Sequence, residues 1–128
     1  MILRCVVVTP ERTELDRQPT YISLPMFDGE LGVMNGRAPL IGRLGYGTLR
    51  LQTLAGPEKY YVDGGFAHVE DNVVNVLTAR MVPVDLIDGD QARDALESAL
   101  ELPANTPEEA QLKDTAVRRA RGQVRASR

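Results

Sequence analysis

A chain of 128 residues, 43% hydrophobic and 26% charged, has the balance of a soluble globular protein and is long enough for one ordinary domain plus a small appendage. A net charge of −3 and a pI near 5.2 argue against general nucleic-acid binding. No apolar run approaches the ~20 residues of a membrane span, and the short apolar N-terminal stretch is not followed by a small-residue cleavage site. Direct membrane insertion is therefore excluded, and any membrane association is expected to come through a protein partner.

Residues 1–84 read as a β-rich domain. Cys5 lies in the apolar run Leu3 to Val8 and reads as a buried structural thiol; as the single cysteine it also excludes an intramolecular disulfide. Val6 and Val8 alternate with Cys5 and Val7, Ile22 and Leu24 with Tyr21 and Ser23, and Leu49 and Leu51 with Thr48, Arg50 and Gln52. Period-2 runs of this length predict half-buried strands. Turn signals separate them at Thr9-Pro10, Asp28-Gly29, Asn35-Gly36, Gly45 and Gly47, Gly56-Pro57, Asp63-Gly64-Gly65 and Asp71-Asn72. Many short strands at such spacing predict a β-sandwich or barrel.

The composition changes after Val84. Residues 85–128 are rich in Ala, Glu, Asp, Gln, Leu and Arg, which favour helix. Asp88 with Gln91 three residues on reads as a capping box, opening a helix to about Leu102 with Ala92, Ala95, Leu96, Ala99 and Leu100 on its apolar face. Thr106-Pro107-Glu108-Glu109 is a second start signal, for a helix to about Val124. Its apolar face is thin: Ala110, Val117, Ala120 and Val124, with Leu112 and Ala116 beside it. The expected architecture is mainly β plus α, an N-terminal β-sandwich followed by an antiparallel two-helix hairpin. Helices of this length are marginal alone, so the hairpin is expected to dock on something and to be able to leave it, hinging at Pro83 to Ile87.

Catalytic chemistry is hard to place. His68 is the single histidine and reads as an exposed or edge strand residue. Ser23, Ser98 and Ser127 have no nucleophile elbow around them. Gly42, Gly45 and Gly47 are followed by no Lys-Ser/Thr and no helix, so they read as turn residues rather than a phosphate loop. No metal-ligand spacing is present. Charge is the remaining signal. Asp85, Asp88, Asp90, Asp94, Glu97, Glu101, Glu108 and Glu109 make the first part of the hairpin acidic, and Arg118, Arg119, Arg121, Arg125 and Arg128 make its end basic. Two readings stand side by side: neutralisation between two solvated helices with a favourable macrodipole, or an arginine face for an acidic partner.

The run Gly29-Glu30-Leu31-Gly32-Val33-Met34-Asn35-Gly36 with Arg37-Ala38-Pro39-Leu40, followed by Gly64-Gly65-Phe66 and the strand-like Asn72 to Ala79, resembles the epsilon subunit of the bacterial F-type ATP synthase. The resemblance covers nearly the whole chain. It implies a rotor part and regulator with no chemistry or cofactor of its own. The sandwich would sit at the foot of the central stalk, on the cytoplasmic side of the inner membrane. It would lie against the gamma subunit and the c-subunit ring, helping to couple proton flow to ATP synthesis. Glu30 is then the candidate contact to the c ring. Arg37, standing where the family has histidine, adds a fixed positive charge beside it.

The same resemblance bears on regulation. Some members bind ATP on the folded hairpin through Ile/Leu-Asp-x-x-Arg-Ala. Here Ile87-Asp88-Gly89-Asp90-Gln91-Ala92 keeps Asp88 but has Gln91 for the arginine and gains Asp90, so weak or absent ATP binding is expected. In the family the hairpin also extends into the catalytic head and inhibits hydrolysis. As continuous helix, residues 88–125 would span about 57 Å, and Arg118, Arg119, Arg121 and Arg125 would meet an acidic segment of the catalytic beta subunits. Alternatives are a purely structural coupling subunit without an inhibitory arm, or a small β-sandwich adaptor unrelated to the synthase.

Overall fold

The computed structural model describes residues 2–128. The strands are β1 (Arg4–Val8), β2 (Thr13–Arg17), β3 (Tyr21–Met26), β4 (Gly29–Val33), β5 (Leu40–Thr53), β6 (Gly56–Glu70), β7 (Val73–Leu77) and β8 (Met81–Pro83). A 3-10 turn at Val84–Leu86 leads to helices α1 (Gly89–Leu100) and α2 (Pro107–Ala126). The eight strands form one hydrogen-bonded network in the order β2-β1-β7-β6-β5-β3-β4, with β8 pairing β6. All pairings are antiparallel except β1 with β7.

The network becomes a sandwich because β5 and β6 belong to both layers. The C-terminal half of β6 pairs with β7, and its N-terminal half with β8. One layer is therefore β2-β1-β7 with Phe66–Glu70 of β6 and the start of β5; the other is β8 with the start of β6, the end of β5, β3 and β4. Between them lie Leu3, Cys5, Val7, Leu15, Ile22, Leu24, Val33, Leu44, Leu49, Leu51, Val62, Ala67, Val69, Val74 and Val76, all essentially buried. Alternation selected these side chains: Cys5 and Val7 point inward while Val6 and Val8 are half-buried.

Gly45, Gly47 and Asp63-Gly64-Gly65 do not separate strands as their turn signals suggested; β5 and β6 run through all of them for 14 and 15 residues. They lie where the paired strands pass from one layer to the other. Gly65 has φ +109°, and a Cβ there would fall on the carbonyl oxygen of Leu77. The bend thus needs a residue with no side chain and free access to positive φ. The remaining turn signals fall at strand ends, with Asn35-Gly36 and Asp71-Asn72 in turns; two are displaced, the turns being Phe27-Asp28, with Gly29 already in β4, and Leu54-Ala55, with Gly56 and Pro57 already in β6.

The helix starts follow their local chemistry. Asp88 is the N-cap of α1, and its Oδ1 accepts from the backbone N–H of Asp90 at 2.9 Å and of Gln91 at 3.2 Å. Among the described residues no reciprocal bond from the Gln91 side chain completes the box. Thr106 Oγ1 caps α2 by accepting from Glu109 N–H at 3.1 Å, with Pro107 in the first turn. The ends shift: α1 stops at Leu100 rather than Leu102, and α2 continues to Ala126 rather than Val124. The buried faces also differ from expectation. In α1 only Ala92 and Ala99 are buried, and Leu100 is 47% exposed. In α2 Ala120, Gly122, Val124 and Ala126 are buried, while Leu112 is 70% exposed. Docking therefore uses the C-terminal half of α2.

Candidate functional site

The hairpin rests on the sandwich along β5 and β6. Gly122 of α2 lies directly on the backbone of Tyr46, and a Cβ at that position would meet the Tyr46 carbonyl oxygen. Beside this approach, Arg119 Nε donates to Asp63 Oδ1 at 2.8 Å, and the Asp63 side chain is only 12% exposed. The same carboxylate oxygen accepts from the hydroxyl of buried Tyr61 at 3.0 Å. The bonded carboxylate raises the Arg119 pKa further above its usual range. The Tyr61 hydroxyl is pushed up, first by burial and then by the Asp63 charge. Arg119 also lies over the ring of Tyr46, 5.4 Å from its centroid. Small residues, one ion pair and one buried hydroxyl make this a specific contact with little large apolar area.

The arginine set thus divides. Arg119 is a docking residue. Arg118 donates to Asp114 at 2.9 Å within α2 and lies 4.8 Å from the centroid of Phe27. Arg121 and Arg125 are exposed and line a cavity of about 400 Å³ together with Arg118, Phe27 and Tyr46. No ion pair joins α1 to α2 among the described residues: Arg93 pairs with Asp90 inside α1, Arg118 with Asp114 inside α2, and Arg119 with the sandwich. Neutralisation of an acidic helix by a basic one is not how this hairpin is held.

The other sequence-derived residues fall into separate places. Glu30 is in β4, exposed, and paired with Arg50 of β5. Arg37 is exposed just past the Asn35-Gly36 turn, its N–H donating to Met34 O at 3.3 Å. Asp88 and Gln91 border a second cavity of about 240 Å³ with Tyr61, Arg80, Ala95 and Gln123. His68, expected to be exposed or on an edge strand, is half-buried and not on an edge: it lies in β6 between Ile41 of β5 and Asn75 of β7, its Nε2 3.3 Å from Glu70. Sequence reasoning missed Asp63, Phe27 and Tyr46. In sequence Asp63 carries a turn signal beside Gly64-Gly65, and nothing local marks a carboxylate that faces an arginine 56 positions away.

Among the described residues no group of three or more His, Cys, Asp or Glu could hold a metal ion. Among the same residues no helix is long and apolar enough to cross a membrane. A bent β-sandwich carrying a docked helical hairpin, with its functional side chains spread over surfaces, defines a protein that works through interfaces. Residues 2–84 match the family described as the β-sandwich domain of the ATP synthase delta/epsilon chain. The chain is 71% identical over 128 residues to the ATP synthase epsilon chain of Rhodopirellula baltica, covering all of both chains. It is 35% identical over 125 residues to that of Syntrophomonas wolfei, covering 94% of this chain and 90% of the relative. A chain in the Euglena gracilis mitochondrial ATP synthase structure (OSCP/F1/c-ring, rotational state 1) superposes with TM-score 0.85 at 25% identity, over 98% of this chain and 81% of the other. The chain belongs to the ATP synthase epsilon family, as its Gly-Glu-x-Gly and Gly-Gly-Phe motifs suggested. An epsilon chain is a non-catalytic subunit of that complex, which accords with interfaces rather than a reaction centre.

Proposed function

We propose that this protein is a central-stalk rotor subunit linking the gamma subunit to the c-subunit ring, peripheral on the cytoplasmic side of the inner membrane. In this reading it helps couple proton translocation to ATP synthesis, and its hairpin restrains ATP hydrolysis. The rotor reading is supported by end-to-end similarity to epsilon chains and by the likeness to a chain from a c-ring-containing assembly. The regulatory reading rests on one observation: α2 is held by small residues and the Arg119–Asp63 ion pair rather than by a large apolar face. A contact of this kind can exchange between docked and extended states.

The chain would divide at residues 84/85 into a β-sandwich coupling unit and a mobile hairpin. Glu30 and Arg37 would meet the polar loops of the ring, with Arg50 orienting Glu30 through their ion pair. On extension, Arg118, Arg119, Arg121 and Arg125 would face an acidic segment of the catalytic beta subunits. Arg119 would exchange Asp63 for the new partner. ATP binding at Asp88 and Gln91 would be weak, because Gln91 brings no charge to its cavity and Arg80 is the single cation lining it.

Reconstitution tests the coupling role. Synthase depleted of its epsilon chain should regain ATP-driven proton pumping on addition of this protein, and Glu30→Lys should lower pumping without unfolding the chain. Full pumping without the chain, or no assembly with the gamma subunit, would overturn the proposal.

A further inference from the structure

We propose that the groove between α2 and the β3–β4 turn is a binding site for a phosphate-type anion, complete only while the hairpin is docked. The cavity of about 400 Å³ takes Met26, Phe27, Gly29, Gly45 and Tyr46 from the sandwich, and Asp114, Val117, Arg118, Arg121 and Arg125 from α2. Positions 118, 121 and 125 lie three and four apart, which aligns their guanidinium groups on one stripe of the helix. Arg43 of β5, outside the cavity lining, lies 4.1 Å from the centroid of the Phe27 ring that Arg118 also approaches.

The charges here are not balanced within the protein. Asp114 is engaged by Arg118, and nearby Glu30 by Arg50. Among the described residues no carboxylate pairs with Arg43, Arg121 or Arg125. Asp28, exposed in the turn, does not line the cavity. Like charges converging on one groove raise its energy, and an anion would relieve that repulsion. Guanidinium forks match phosphate oxygens bidentately. A concave groove of this volume is of the size that holds small ligands, so it fits a free phosphate, a pyrophosphate or a nucleotide's phosphate tail better than the flat face of a helix. It shares no residue with the cavity at Asp88 and Gln91.

Because both units line the groove, an anion in it stabilises docking by mass action. That consequence for hydrolysis rests on the proposed inhibitory role; the binding does not. The test uses the full chain alone, with arginine side chains labelled for NMR, titrated with pyrophosphate at constant ionic strength. Saturable shifts at the Nε–H groups of Arg121 and Arg125 are expected in the millimolar range or tighter. The double variant R121Q/R125Q should weaken them by about tenfold or more. Replacing pyrophosphate by ATP distinguishes the sources. Shifts at the same arginines identify a nucleotide tail as an occupant, and shifts with pyrophosphate alone identify a free-anion site. Shifts that rise linearly and are reproduced by chloride would overturn the proposal, as would saturable shifts that survive R121Q/R125Q.

Discussion

The carbonyl of Tyr46 in β5 and the α-carbon of Gly122 in α2 meet with no room for a methyl group between them. In the helix alone, glycine at 122 is unfavourable by about 1 kcal/mol relative to alanine. The sequence therefore gives up helix stability at the point where the hairpin must lie flat on the sandwich. Gly122→Ala is predicted to act in opposite directions on the two units' properties. Helix content should hold or rise, while docking weakens by about 1–3 kcal/mol. Limited proteolysis within α1 and α2 should accelerate by about tenfold or more, with the melting of the sandwich unchanged. Unaltered protection of the hairpin would contradict this account of the contact.

Asp63 is the second half of that contact. Its Oδ1 accepts from both Tyr61 and Arg119. Asp63→Ala leaves the buried Tyr61 hydroxyl without its acceptor, whereas Arg119, 46% exposed, can turn to water. A loss of about 1–2 kcal/mol is predicted in denaturant unfolding, most of it from the hydroxyl. Asp63→Asn keeps an acceptor and removes the charge, so it should recover most of the stability but not the docking. Docking of Asp63→Asn as tight as that of the native chain would show that the ion pair contributes nothing to docking.

Alkaline pH should destabilise the fold through buried acids. Burial pushes the Cys5 thiol from an ordinary 9.0 up to about 12, with Asp16 adding a smaller push. Tyr61 is raised in the same direction. Between these limits the folded chain keeps protons that the unfolded chain releases. Stability is then complete below about pH 9 and falls as pH rises toward 12, by up to about 1.4 kcal/mol per pH unit for each group. Denaturant unfolding compared at about pH 8 and about pH 10.5 measures it, and Cys5→Ala should flatten the thiol's share. Below pH 9 the thiol of the native chain should resist alkylation until the chain unfolds. Rapid native-state labelling would contradict its burial.

The sequence showed the fold where the causes are local. Period-2 burial of Cys5 and Val7, the turn at Asn35-Gly36, and the caps at Asp88 and Thr106 each depend on neighbours within a few residues. Causes distant in sequence were not visible. Gly45, Gly47, Gly64 and Gly65 looked like strand breaks because glycine carries the same signal for a turn and for a bend inside a long strand. Only the pairing of β5 with β6 decides between them. Locally Gly122 only weakens the helix; its reason, the Tyr46 backbone beneath it, lies 76 residues away in sequence. Among the arginines, the helical run marked a basic face, but the division into Arg119 for docking and Arg121 and Arg125 for the open groove depends on how α2 is rotated on the sandwich.

A hairpin held this lightly is proposed to be a regulatory arm. The most direct measurement is ATP hydrolysis by the cognate synthase assembled with the full chain or with a chain ending at Val84. Faster hydrolysis with the shortened chain, with proton pumping still coupled, is the predicted result. Equal hydrolysis by the two assemblies would contradict the claim and leave the sandwich as the whole of the working subunit.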